Sequence, residues 1–320
     1  MLSRVADSLY WMSRYMERAE NDARILDVNL QLLLDLGGEA DAMQHWAPVI
    51  ASLEETNTFD SLYETTDEAS VTEFLTLQQK NPSSIISCLS RARENARTTR
   101  EQISSEMWEE INRLYLFVQS DSARRMLLAS PHEFFKQIIT GSHLFQGVTD
   151  STMTHGEGWD FIRIGTLIER ADCTSRILDV KYHILLPSGE DVGGNVDTIQ
   201  WMGVLKSCSG LESYCKLYVS QVAPWKVAEF LITHQEFPRS IRFCVDKLDE
   251  ALHSISGVDE TRYANEAERL SGRLRSDVAF VTIGEIFDFG LHEYLTQIQE
   301  RLVEISNAMY ATYCANYAVE

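Results

Sequence analysis

The chain has 320 residues, 44% of them hydrophobic and 24% charged, the balance of an ordinary soluble domain with enough apolar side chain for a sizeable core. Its formal net charge is −20, from 28 basic and 48 acidic side chains. Such a field repels phosphate backbones and anionic membranes, which argues against a nucleic-acid or membrane-surface role. Only 6 prolines interrupt the whole length, and sparse Pro favours long helices. No apolar run reaches the roughly 18 residues of a spanning helix, and no basic-plus-apolar leader with a small-residue cleavage site opens the chain. A soluble, cytoplasmic, all-α protein is expected.

The spacing predicts a first helix from Ser3 to Leu36, stopped by Gly37–Gly38. Leu9, Met12, Met16, Ala19, Ala23, Leu26, Leu30 and Leu33 alternate spacings of three and four, a heptad seam. A helix bearing Trp46 follows, then a short helix at Val71–Leu75, then a helix from Ser84 with Pro82 in its first turn. Ser90–Ile103 reads as helical and basic; Met107–Gln119, Ser122–Ala129 and His132–Gln146 read as further helices. A turn at Gly147–Asp150 and a loop over Thr152–Gly158 are expected next. In the second half the seam is Phe161, Ile164, Ile168, Ala171, Ser175, Leu178, Tyr182 and Leu185, closed by Pro187-Ser-Gly and a loop over Asp191–Asn195. Ala264–Arg275 and Ile283–Ala311 form the last predicted helices. No stretch alternates with period two.

The second half repeats the first. Tyr15–Leu34 returns as Leu167–Leu186 with ten of twenty positions identical, among them Glu17/Glu169, Arg18/Arg170, Arg24/Arg176 and Asp27/Asp179. Glu20/Asp172 keep the charge. Trp46 matches Trp201, Val71–Leu75 matches Val227–Leu231, Pro82 matches Pro238 and Cys88 matches Cys244, as the offset drifts from 152 to 156. Ordered blocks at a nearly constant offset point to a duplication. The expected architecture is one compact multi-helix bundle of two repeats, 1–150 and 151–320, related by a pseudo-twofold.

Arg18 and Arg170 interrupt a second apolar stripe on their helices, which also carries Ile25 and Ile177. A helix apolar on two faces is largely enclosed, and a charge there is costly unless paired. Glu17, Arg18, Arg24, Asp27, Glu169, Arg170, Arg176 and Asp179 are therefore the candidate network. In one reading, Glu17, Arg18, Glu169 and Arg170 pair across the twofold and specify its register. In the other, the arginines hold a carboxylate or phosphate and the glutamates bind an amine or act as acid and base.

Elsewhere the chemistry is bland. The six cysteines form no CxxC, Cys208 and Cys215 could share a helix face, and free core thiols are expected. Arg91, Arg93, Arg97 and Arg100 beside Glu94 and Glu101 read as a solvated face. Trp108 and Trp159 read as core or rim aromatics, and His155 as polar surface. There is no Glu-x-x-His pair, Walker loop, GxSxG, GxGxxG or HExxH, so no metal or cofactor is expected and no catalytic residue is assigned.

Taken together, Ser13-Arg-Tyr-Met-Glu-Arg-Ala19, Asn95-Ala-Arg-Thr-Thr-Arg100, Ser104-Ser-Glu-Met-Trp108 and Gly165-Thr-Leu-Ile-Glu-Arg-Ala171 resemble the bacterial alpha-E domain family, along essentially the whole chain. The resemblance implies an all-helical protein that accompanies circularly permuted ATP-grasp ligases and often transglutaminase-like cysteine peptidases. It implies a partner or co-catalytic subunit in making or trimming an amide-linked product, and places the ER residues at Glu17, Arg18, Glu169 and Arg170. Gly165-Thr-Leu stands where the first helix has Ser13-Arg-Tyr, so Arg14 has no charged counterpart and a symmetric role for it is doubtful. An enzyme with a Glu/Arg site between the two ER helices, acting on a peptide or amino-acid-like substrate, and a purely structural scaffold are the other expectations.

Overall fold

The computed structural model describes residues 1–35, 42–52, 55–184, 195–218 and 222–315. The stops at Gly37–Gly38 and Pro187–Gly189, seam residue Leu185 and most of the Asp191–Asn195 loop lie outside the described residues. Among the described residues every regular element is a helix. In the first half these are α1 (Ser3–Asp35), α2 (Ala42–Ser52), α3 (Thr56–Asp60), α4 (Glu68–Thr76), α5 (Ile85–Thr98), α6 (Ser105–Gln119), α7 (Asp121–Ala129) and α8 (Pro131–Thr152). Then come α9 (Glu157–Ile184), α10 (Asn195–Ser207), α11 (Leu211–Leu217), α12 (Pro224–Thr233), α13 (Ile241–Ser256), α14 (Glu266–Phe280), α15 (Ile283–Phe289), α16 (Leu291–Met309) and a π turn at Tyr310–Cys314. No helix is long and apolar enough to cross a membrane.

The heptad seams do what their spacing predicts. Leu9, Met12, Met16, Ala19, Ala23 and Leu26 of α1, and Phe161, Ile164, Ile168, Ala171, Ser175 and Leu178 of α9, are all buried, while Leu30 and Leu33 at the end of the first seam are only partly so. The two helices pack on one another along their length. They touch at backbone distance where α9 carries Gly165: a Cβ there would stand 2.2 Å from Ser13 Oγ and 2.4 Å from the Tyr10 carbonyl oxygen. Around this pair, α5, α8 and α10 close on α1, while α13 and α16 close on α9.

Several local expectations change. Ser84 and Ser240 cap α5 and α13, each hydroxyl accepting from the backbone N–H three residues on, at 3.4 and 3.1 Å. Pro82 and Pro238 therefore precede the caps; the first-turn prolines are Pro131 and Pro224. The basic helix starts earlier and ends at Thr98, where the Thr98 and Thr99 hydroxyls both donate to the Asn95 carbonyl. Gly147–Asp150 is not a turn. α8 runs through it, because burying Phe145 and Thr149 outweighs the roughly 1 kcal/mol cost of one helical Gly. The stretch Ile283–Ala311 is not one helix, since Gly290 at φ +111° breaks it. Cys208 and Cys215 do not share a helix: Cys208 follows α10, and Gly210 separates it from α11. The described cysteines are free thiols.

Candidate functional site

Glu17 and Glu169 lie on the facing sides of α1 and α9, 1% and 4% exposed. Each carboxylate is gripped by the arginine that follows the other. Arg170 donates through Nε and an Nη to Glu17, both at 2.9 Å. Arg18 donates through Nε and an Nη to Glu169, at 2.5 and 2.9 Å. The planar fork suits this two-point pairing. Each glutamate also takes a second arginine. At Glu169 it is Arg14, through Nε at 2.8 Å; at Glu17 it is Arg239, at 2.9 Å, joined by the Gln146 amide at 3.0 Å. Burial alone would raise the Glu169 carboxyl, but Arg18 and Arg14 outweigh it and hold it at about 2.

Arg239 does more than brace Glu17. It arrives from the loop before α13 and also donates to Glu20 at 2.5 Å and to the Asn21 side-chain oxygen at 2.9 Å. Glu20, fully buried, is bound as well by Arg24, by the Ser142 hydroxyl at 2.9 Å and by His143 at 3.2 Å. Against the opposing pull of burial, Arg239, His143 and Arg24 hold the Glu20 carboxyl far below its ordinary range. On α9, Arg176 pairs with Asp172 at 2.8 Å. Within each helix Arg24 and Arg176 thus take the acid four residues before them, Glu20 and Asp172. Asp27 and Asp179 stand apart: Asp27 accepts from His132 at 2.8 Å and Asp179 is bound to His292 at 2.7 Å.

Beside Arg18 and Glu169 is a cavity of about 250 Å³. Its walls are Arg18, Asn21, Asp22 and Ile25 of α1, Glu169, Asp172, Cys173, Arg176 and Ile177 of α9, and Glu55 and Ser83 from the first half's loops. Asp22 is 1% exposed, and its buried Oδ2 has no hydrogen-bond partner. Burial drives the Asp22 carboxyl well above its usual range, Arg18 draws it down, and Glu169 and Glu55 push it further up. Asp172 is raised too, burial outweighing Arg176. The Cys173 thiol is driven far up by burial, so the cavity's one sulfur is not a thiolate nucleophile.

Of the eight candidate residues the structure brings six together. Reasoning on the sequence missed Arg239, Arg14, Asn21, Asp22, Gln146 and His143 as members. A signal existed for Arg239: it is a charge at the third position of FPRSIRFC, where the similar first-half segment NPSSIISC has Ser83. Gln146 and His143 left no signal, because they come from α8, which has no part in the ER repeat.

The chain belongs to the Alpha-E family, a predicted alpha-helical domain with a conserved ER motif, whose profile matches residues 1–314. Curated relatives include uncharacterized proteins of Mycobacterium bovis and of one Mycobacterium tuberculosis strain, each 25% identical over 334 aligned positions. A protein of a second M. tuberculosis strain is 24% identical over the same length. Each alignment covers 98% of this chain but 37% of the relative, so the chain spans little more than a third of the proteins it matches. No solved structure matches it.

Proposed function

From membership in the Alpha-E family as the premise, we propose that this protein is the partner or co-catalytic subunit of an ATP-grasp-type amide or peptide ligase, and that it holds part of the ligand in the cavity between α1 and α9. The two halves are read as duplicated repeats, 1–150 and 151–320, related by a pseudo-twofold through the reciprocal Glu17–Arg170 and Glu169–Arg18 pairs. A cytoplasmic location, and a transglutaminase-like peptidase as a further partner, belong to the same reading.

The observation that carries it is the cavity. A purely structural ion-pair network has no need of a polar space beside it, nor of a buried carboxyl left without a partner, which costs stability. The walls hold charged groups in fixed positions but no activated nucleophile, which suits binding better than bond-breaking. In the relatives the same body is joined to a much longer chain, as expected of a unit that works with others. The test is to recover the tagged chain with its associated ligase and measure ATP-dependent amide formation with and without it. Dependence on the chain is expected; activity unchanged after its removal, with no association, would end this reading. The second reading, a free-standing enzyme, is favoured by the Asp22 carboxyl in the cavity wall, which burial makes more readily protonated than an ordinary aspartate. Product formed by the chain alone would select it.

A further inference from the structure

The duplicated block before α5 and α13 differs at one telling position. In the second copy, Arg239 sends its guanidinium among Glu17, Glu20 and Asn21. In the alignment of the two halves the counterparts of these residues are Glu169, Asp172 and Cys173, and the counterpart of Arg239 is Ser83. All four counterparts line the cavity. The cavity therefore stands where one copy has a built-in cation and the other has a serine hydroxyl.

Charge counting agrees. Around Arg239 the arginines are Arg24, Arg170 and Arg239 itself, against the carboxylates Glu17 and Glu20. Around the cavity Arg14, Arg18 and Arg176 face Glu169, Asp172, Asp22 and Glu55. Glu169 and Asp172 are paired. Among the described residues no cation bonds the Asp22 or Glu55 side chain; the Glu55 carboxylate accepts from the Ser83 hydroxyl, at 3.1 Å. One positive charge would balance the set. In the other half the charge at this place is a guanidinium, that of Arg239, so an organic cation of the same kind is the natural counterpart.

We infer that the cavity binds a single organic cation rich in N–H donors, an ammonium or guanidinium group on a small ligand, placed as Arg239 places its own guanidinium and held by Asp22, Glu55 and Ser83. This rests on the reading of the chain as a duplicated, ligand-holding subunit and names the chemistry of the group held. The volume, below the roughly 300–1,000 Å³ of drug-sized pockets, suits the end of an amino-acid or peptide-like molecule rather than a long chain. The ER pairs are then the rigid frame, and Asp22 is the group that meets the ligand. Facing Asp22 are Arg18 on its own helix, Glu169 and Cys173 on α9, Cys88 on α5 and Glu55. Burial raises the Asp22 carboxyl and a cation beside it would draw it back down, so binding strengthens as pH rises through the range where the free carboxyl titrates.

The test uses the full chain alone, with no ligase, so that it stands or falls apart from the ligation assay. Three probes are titrated: Ala-Ala-amide, with a free α-ammonium; N-acetyl-arginine methylamide, with a guanidinium only; and N-acetyl-Ala-Ala-amide, which is neutral. At least one charged probe should bind, and the neutral one should bind about tenfold more weakly or not at all. Which charged probe binds identifies the source as an amine terminus or an arginine-like side chain. Ser83→Arg should fill the space from within, raise Tm and abolish binding; Asp22→Asn should keep the fold and weaken binding by about tenfold or more. Equal binding of the neutral probe, no binding by either charged probe, or undiminished binding by a folded Asp22→Asn protein would overturn the inference, whether or not Ser83→Arg folds.

Discussion

Glu169 shows how a buried charge becomes a stability term. Its carboxyl sits at about 2 in the fold, below the ordinary value of 4.5, because Arg18 and Arg14 overcome the cost of burial. A depressed carboxyl contributes stability that is fully present above its unfolded value and is lost as pH falls through the folded one, here about 3 kcal/mol between pH 4.5 and 2. Glu20 acts in the same direction. Asp22 acts in the opposite one: a raised carboxyl stabilises least at neutral pH. The chain should lose stability steeply as pH drops below about 4.5, in denaturant titrations followed by circular dichroism. Glu169→Gln should flatten that limb while costing about 3–5 kcal/mol at neutral pH, since it strands two arginines. A wild-type acid limb that is already flat would contradict the account.

At the level of elements, α1 and α9 need close contact for the crossed pairs to reach. Arg18 and Arg170 each bridge to the opposite helix with both donors engaged, a geometry that tolerates little separation. Gly165 supplies the approach. The sequence difference between the aligned positions Ser13 and Gly165 has a steric reason: only one of the two helices can carry a side chain where Ser13 Oγ donates a hydrogen bond to the Tyr10 carbonyl at 2.9 Å. Gly165→Ala should push the helices apart and destabilise by about 1–3 kcal/mol or more, and should loosen both Glu–Arg pairs. A thermal melt at the wild-type Tm would show that the contact is softer than described. Arg14 has a similar resolution. It has no counterpart in the second helix because Glu17 receives its second arginine from Arg239, so the two glutamates are equally braced by unequal means.

On the scale of the whole molecule, the halves cannot be separated without exposing the centre. Glu17 and Glu20 on α1 depend on Arg170 and Arg239 from the second half, and the α1 seam is covered by α9. A fragment of residues 1–152 would leave buried carboxylates unpaired and an apolar face bare. It should show no cooperative thermal transition alone and should regain one on mixing with residues 153–320. Cooperative melting of the isolated fragment would make the halves independent domains.

The helices, the two seams and the special status of the ER residues were legible in the chain because each depends on local periodicity: the three-and-four spacing of Leu9 to Leu26 names its own buried face, and a charge on a second apolar stripe must find a partner. Helix ends were read less well. Gly147 continues a helix and Gly290 breaks one, and the difference lies in what the flanking residues bury, not in glycine. Which partner each charge takes was settled only by tertiary structure. The pairing of Glu17 with Arg170 was one of the two readings of the sequence, but that Glu20 meets Arg239 and Asp27 meets His132 was not, because distance in a folded bundle is independent of distance along the chain. The cavity was hidden for the same reason. Ser83, Asp22 and Asp172 are unremarkable apart; only their convergence on one cavity, at the place where the aligned block of the second half carries Arg239, supports the inference of a bound cation.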